Sequence, residues 1–245
     1  VTHCSNIVGE INDIKKIAEI THNAGALMIV DGVSFCPHGL PDVNELGADI
    51  YFFSAYKTYG PHQGIMVIRQ NAKKALTNQS HFFNSDYSDK IMVPAGPDHA
   101  QVAACNGIID YFDDIYDHHF SKIDNDQKLS KPKQVAKLFR DHEIKLLKPL
   151  LEFLRGNSNC RLIGPGDNVL RAPTVAFVPK NKKPSEVARD LSKYNIMSGA
   201  GDFYAVRPLK ALGIDPDEGV VRLSFVHYTS ENEVKRLIEA LEKIL

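Results

Sequence analysis

Neither sign of charge dominates this chain: 29 Lys and Arg face 30 Asp and Glu, a formal net charge of -1 over 245 residues. That balance removes any general electrostatic case for nucleic acid or an anionic membrane surface. Long apolar runs are missing too; none approaches the roughly 20 residues that a membrane span needs. Cysteine is sparse. Cys4, Cys36, Cys105 and Cys160 are scattered, with no C-x-x-C pair and no zinc-like spacing, which predicts thiols kept in a reducing cytoplasm. None of the histidines pairs at metal-ligand spacing, so no metal is assigned. No internal repeat or low-complexity segment is found, and no basic leader with an apolar stretch and cleavage site stands at the start. The first residue is Val1, leading straight into the strand-like VTHCSNIVG. The expectation from that start is a piece of a longer protein.

What is present is ordinary for a globular chain, with 43% hydrophobic and 24% charged residues and enough length to bury a real core. Residues 12–24 carry Ile14, Ile17, Ala18 and Ile20 in a helical pattern, with Asn12 or Asp13 as N-cap and Gly25 as the stop. The unbroken apolar run from Ala26 to Val30 reads as a central parallel strand buried on both faces. A short helix over Val43–Leu46 and strands over Asp49–Phe53 and Gly64–Arg69 follow. Residues 98–120 return to helix, with Val102, Ala103, Ile108, Ile109, Tyr111 and Phe112 as core candidates. A charge-rich helical stretch over 122–156 is interrupted, or kinked, by Lys131-Pro132-Lys133.

Short strands over Cys160–Ile163, Thr174–Val178 and Val220–Val226 come next, with helices over 184–194 and Ser230–Leu245. Ser230 and Glu233 are spaced as a capping box. The expected architecture is α/β, with a boundary near residue 121: a large α/β domain over 1–120 and a smaller α+β domain over 121–245.

Asp31 and Lys57 each close an apolar strand. In an open α/β sheet, ligands bind outside the carboxyl ends of the strands. An acid and an amine presented there suit pyridoxal 5'-phosphate, whose aldehyde condenses with the amine while a carboxylate pairs with the ring nitrogen. On spacing alone the alternatives stay open, because Asp at a strand-to-helix turn is often a cap and a terminal Lys is usually solvated.

Four segments carry a family likeness. They are SNIVGEINDIKKIAEITHNAG, ALMIVDGVSFCPHGLPDVNELGADIYFFSAYKTYGPHQG, VPAGPDHAQVAACNGIIDYF and VVRLSFVHYTSENEVKRLIEALEKI. In these segments, over essentially its whole length, the chain resembles the class V aminotransferases, the fold type I pyridoxal-phosphate enzymes that include the cysteine desulfurases. The resemblance implies a partial large domain with a mostly parallel sheet, a small C-terminal domain, a homodimer and an amino-acid substrate. It implies Lys57 as the Schiff-base lysine, Asp31 as partner of the ring nitrogen and Ser54 as a phosphate ligand. Tyr56 stands where the desulfurases have a second phosphate-contacting histidine, and Ser34 where a glutamine touches the ring oxygen. Asn6 and Arg222 match the pair that holds the substrate carboxylate, a role suited to the bidentate guanidinium fork.

The departures matter as well. The segment Met197–Arg207 has no cysteine where desulfurases carry their persulfide nucleophile, so the likeness is to a desulfurase-like subgroup without it. Gly96-Pro97 replaces the family's Gly-Thr, and proline offers neither hydroxyl nor N–H; Asp98 or His99 is the candidate to rebuild that cross-subunit phosphate contact. Phe203, Tyr204 and Arg207 fit a substrate pocket and internal packing equally well. His3 and His62 are candidates for acid–base work, set against satisfied or solvated histidines. The family's ring-stacking residue and phosphate-cradling helix lie upstream of the segments found here, so this chain by itself is expected to bind the cofactor poorly. Two functions remain: an aminotransferase- or lyase-type enzyme without a persulfide step, or an inactive module of the same fold that serves as a regulatory partner.

Overall fold

The computed structural model describes residues 1–93, 96–120 and 129–245. The boundary expected near residue 121 lies outside the described residues. Two compact units emerge, one formed by Val1–His3 with Asp13–Val135 and the other by Cys4–Asn12 with Ala136–Leu245.

In the first unit, α1 (Ile14–Asn23) starts where Asp13 accepts the Lys16 N–H at 3.1 Å. Ile14 and Ala18 are buried, but Ile20 is exposed. At 3.6 residues per turn, Ile20 falls on the far side of the helix from Ile14. β1 (Ile29–Asp31), α2 (Val43–Leu46) and β2 (Ile50–Ser54) follow, then a 3-10 turn over Ala55–Lys57 and β3 (Gly64–Ile68). The sheet order is β1-β2-β3. β1 runs parallel to β2 and bridges Thr2 in parallel, while β3 joins antiparallel.

β1 departs from the expectation of a strand buried on both faces: Met28 and Val30 are buried, whereas Leu27 and Ile29 are exposed. Strand alternation sends the two pairs to opposite faces, and only one face is covered. That covered face holds Ile14, Ala18, Met28, Val30, Cys36, Ala48 and Tyr51. Asp49 is buried and accepts from Met28 N at 2.7 Å and His22 Nε2 at 2.8 Å. α3 (Gln70–Ala75), α4 (His99–Ala104) and α5 (Asn106–Phe120) complete this unit. Ile108 and Phe112 are buried as expected; Val102, Ala103 and Ile109 face outward instead.

α6 (Lys131–Gly156) begins at Lys131, so Pro132 sits in its first turn, where a missing N–H costs nothing. The second unit contains an antiparallel sheet of β4 (Cys160–Ile163), β5 (Thr174–Pro179), β6 (Gly199–Gly201) and β7 (Val220–Ser224), in the order β4-β5-β7-β6. Its helices are α7 (Pro184–Ser192), α8 (Val206–Ala211) and α9 (Glu231–Ile244).

Here both faces of the sheet are covered. Val175, Phe177, Val221 and Leu223 meet Leu147, Leu151, Val187, Leu237 and Leu241 on one side. Ala176 and Val220 meet Ile7, Val8, Ala205 and Leu209 on the other. Alternation along β7 therefore puts Arg222 on the face of Val220, toward the segment that carries Asn6. The capping box of α9 forms as spaced: Ser230 N donates to Glu233 Oε2 at 2.8 Å and Glu233 N to Ser230 Oγ at 3.2 Å.

Candidate functional site

Asp31 is the last residue of β1, and Lys57 closes the turn that follows the neighbouring parallel strand β2. In register, Asp31 faces Phe52, two residues before Ser54. Both groups thus stand at the carboxyl-end edge of one parallel pair, the edge where open α/β sheets bind ligands. The Asp31 backbone is fixed on both sides, its N–H donating to Val1 O at 2.9 Å and its C=O accepting from His3 N at 2.8 Å. Its carboxylate accepts from Val33 N at 2.9 Å, which turns the chain away from the strand. Ser34 lies half-buried in that turn.

Lys57 is exposed and pairs with no carboxylate among the described residues; its Nζ lies 5.9 Å from the centroid of the Tyr56 ring. Tyr56 is exposed and stacks on His62, centroids 4.7 Å apart and planes 6° apart. His62 therefore belongs to the Lys57 neighbourhood, as a ring partner of Tyr56. His3 does not project from this edge. It is buried, stacked on Phe35 at 3.6 Å, with Nδ1 2.9 Å from the Tyr51 hydroxyl. Burial lowers its pKa to about 4, so at neutral pH it is an uncharged packed ring. Asp98 caps α4 by accepting from Gln101 N at 3.1 Å, and His99 is that helix's first residue.

Asn6 and Arg222, both in the second unit, are brought together. Arg222 Nη1 donates to Asn6 O at 2.9 Å, and Asn6 Nδ2 donates to Phe203 O at 2.8 Å. The guanidinium carbon of Arg222 lies 3.9 Å from the centroid of the Phe203 ring. Burial lowers the Arg222 pKa, and no carboxylate pairs with it among the described residues. Phe203 was one of three residues, with Tyr204 and Arg207, that sequence reasoning left undecided. A signal for it existed in Gly199: a Cβ there would meet the Phe203 ring at 2.8 Å.

Arg171 carried no sequence signal. It is fully buried and donates to Val8 O at 2.9 Å, Thr174 O at 2.6 Å and Pro165 O. These bonds pin the 4–12 segment to the start of β5. Burial lowers the Arg171 pKa to about 10, which leaves it charged at neutral pH. Gly9, at φ +72°, must be glycine there, because a Cβ would lie 2.3 Å from Thr174 O.

All four cysteines are free. Burial pushes the thiols of Cys4 and Cys36 up to about 12 and raises that of Cys160. Cys105 lies half-buried with its Sγ 3.4 Å from Gln101 O. Among the described residues no cluster of three or more His, Cys, Asp or Glu is placed to hold a metal, and no helix is long and apolar enough to cross a membrane.

The family model described as Aminotransferase class-V matches residues 1–119 and 133–237. The aminotransferase-like protein FGM3 of Gibberella zeae is 36% identical over 250 residues, an alignment covering 100% of this chain and 58% of that protein. The cysteine desulfurase-like protein ustD of Aspergillus flavus is 30% identical, covering 99% of this chain and 53% of its own length. The chain thus spans little more than half the length of these relatives. Among solved structures, the apo cysteine desulfurase of Thermococcus onnurineus superposes with a TM-score of 0.80 at 23% identity, covering 100% of this chain and 58% of that one. That likeness is one of fold.

Proposed function

This chain belongs to the class V aminotransferase family, and from that premise we propose that it carries the lysine-bearing part of a pyridoxal-phosphate enzyme acting on an amino acid. The observation that carries the reading is the pairing at one sheet edge: Asp31 ends β1, and Lys57 follows the parallel strand β2. An acid and a primary amine at the carboxyl ends of adjacent parallel strands fit the donor set that this cofactor requires. When bound, the cofactor supplies an electron sink for charge that develops at the amino acid's α-carbon.

The chain's own residues divide the remaining work. Asp31, its backbone pinned by Val1 and His3, carries a negative charge toward the ring nitrogen. Lys57 Nζ, unencumbered by an ion pair among the described residues, would hold the cofactor and, near the amino acid's α-carbon, could move a proton there. Ser54 and Tyr56 take the phosphate, Tyr56 by one hydroxyl donor and without charge. Ser34 takes the ring oxygen. Asn6 and Arg222 bind the substrate carboxylate, Arg222 through the guanidinium edge that Asn6 O leaves free.

The reaction is of aminotransferase or lyase type. Three of the four thiols are buried, with raised pKa values, and a buried thiol is a poor nucleophile. A step through a protein persulfide is accordingly absent from the proposal. The same reading includes a homodimer, supported by the exposed Phe82, Phe83, Val102 and Ile109.

Borohydride reduction of the full-length protein incubated with pyridoxal phosphate, followed by peptide mass mapping, tests the assignment. A pyridoxyl adduct on Lys57, lost in Lys57→Ala, is the expected result. An amino-acid panel monitored for keto acid, pyruvate and sulfide then separates transfer from elimination. The inactive-module alternative is the conclusion if no adduct forms on Lys57 in the full-length protein.

A further inference from the structure

Arg222 is a half-buried cation held on one side by Asn6 and Phe203. One Nη1 hydrogen goes to Asn6 O, and the Phe203 ring covers one guanidinium face at 3.9 Å. The ring is held there from three directions. Asn6 Nδ2 grips the Phe203 carbonyl at 2.8 Å. Gly199, directly opposite Arg222 in the β6–β7 register, clears the space that the ring fills. Phe203 and Tyr204 both adopt left-handed backbone conformations, with φ +50° and +61°, in a corner where Tyr204 N donates to Asp202 Oδ1 at 3.3 Å.

Two successive non-glycine residues in that region are strained. A chain built only to pack would place glycine there. The corner instead spends that strain on laying an aromatic ring flat against an arginine that has no carboxylate partner among the described residues.

From this we infer that Phe203 is the specificity-determining residue of the Arg222 receptor, restricting it to planar carboxylates and excluding tetrahedral oxyanions. The inference rests on the proposed role of Arg222 as carboxylate receptor and adds to it the element that sets selectivity. With one face sealed, a ligand can meet the fork only in the guanidinium plane. A carboxylate has both oxygens in that plane and forms two parallel bonds. A sulfonate or phosphonate that sets two oxygens in that plane places its third oxygen on one side and its carbon on the other, so one of the two always runs into the ring. Phe203 is a positioning residue here, since it shapes the approach to Arg222 without touching a reacting atom.

The test uses the protein without cofactor and follows the Arg222 side-chain Nε–H by nuclear magnetic resonance, assigned by its loss in Arg222→Lys. Propionate and methanesulfonate, equal in charge, are the two probes. The wild type is expected to prefer propionate by about tenfold, a typical discrimination for one well-shaped contact. In Phe203→Ala that ratio should fall to about twofold or less, and in Phe203→Tyr it should be retained, since the flat ring is restored. Unchanged amide signals of β5 and β7 certify folding. If Phe203→Ala does not fold, Phe203→Leu, apolar without a flat ring, takes its place with the same expectation.

An Arg222 signal that propionate leaves unmoved, a Phe203→Ala ratio equal to wild type, or loss of the ratio in Phe203→Tyr each overturns the inference. The outcome is separable from that of the cofactor reading. Carboxylate selectivity without a pyridoxyl adduct on Lys57 removes the cofactor reading alone, whereas an adduct without selectivity removes this one alone.

Discussion

The two units present their candidate groups in opposite ways. In the first, Lys57 and Tyr56 stand exposed on a short turn, and the sheet behind them leaves Leu27 and Ile29 exposed beside β1 and both Met66 and Val67 exposed on the edge strand β3. In the second, Arg222 is gripped by Asn6 and Phe203 on a sheet covered on both sides. The contrast separates two kinds of readiness. The Asn6, Arg222 and Phe203 side chains are already fixed by one another, so if Arg222 is the proposed carboxylate receptor, little ordering remains to be done on binding. The Lys57 edge has its backbone in place, while Lys57 Nζ has no ion pair among the described residues to fix it.

The largest expected effect breaks the contrast at its source. Arg171→Ala removes three bonds to main-chain carbonyls from a fully buried site and leaves those carbonyls unpaired. The second unit should lose about 3–5 kcal/mol in urea unfolding, and Arg171→Lys should recover part of it. If the unfolding of the second unit is unchanged, its preorganisation does not come from pinning the 4–12 segment.

A pH titration comes next and acts on the first unit. His3 is neutral when folded, with a pKa lowered by burial from 6.5 to about 4. In the unfolded chain it takes a proton at the ordinary value, so its contribution is intact above about pH 6.5 and lost as pH falls toward 4. The first unit should therefore lose about 3 kcal/mol across that window. His3→Gln, which has no proton to gain, should flatten the slope in circular dichroism melts. An equal slope in the variant would assign the acid sensitivity to other groups.

A smaller effect sharpens the receptor. Gly199→Ala puts a methyl 2.8 Å from the Phe203 ring. The ring or the strand must yield, at about 1–3 kcal/mol, and the propionate preference at Arg222 should drop along with stability. Loss of stability with an unchanged preference would separate packing at Gly199 from the position of the ring.

Much of this was legible before any coordinates. Apolar periodicity and turn residues located α1, β2, β4, β5, β7 and α9, since local propensity and burial agree in those elements. What was misjudged shares one cause. Ile20, Leu27, Ile29, Val102 and Ile109 are apolar residues whose exposure depends on what covers a face, and periodicity alone does not report that. The place of Lys57 and Asp31 at the ends of adjacent parallel strands was readable because a charged group at the end of an apolar run is locally anomalous. Arg171 was not, since its partners are main-chain carbonyls, which leave no mark on composition. Phe203 fell between: it meets Arg222 through strand pairing with Gly199, a register that forms only once β6 is in place.

The smallest predicted effect is a control on the whole contrast. Both units contain a helix whose N-cap side chain accepts from the third N–H: Asp13 from Lys16 N in α1, and Ser230 from Glu233 N in α9, where the reciprocal bond from Ser230 N to Glu233 survives removal of the Ser230 hydroxyl. Capping is local. It satisfies a single N–H at an exposed helix end and does not depend on how well the sheet behind it is covered. Asp13→Ala and Ser230→Ala should therefore cost about the same, near 1 kcal/mol each, measured by urea unfolding with a probe on each unit. Equal costs would place the difference between the units in burial and in pinning residues such as Arg171. A cap that costs clearly more in the second unit would mean that rigidity of the surrounding fold amplifies even local bonds, and the separation of readiness into backbone and side-chain parts would have to be abandoned.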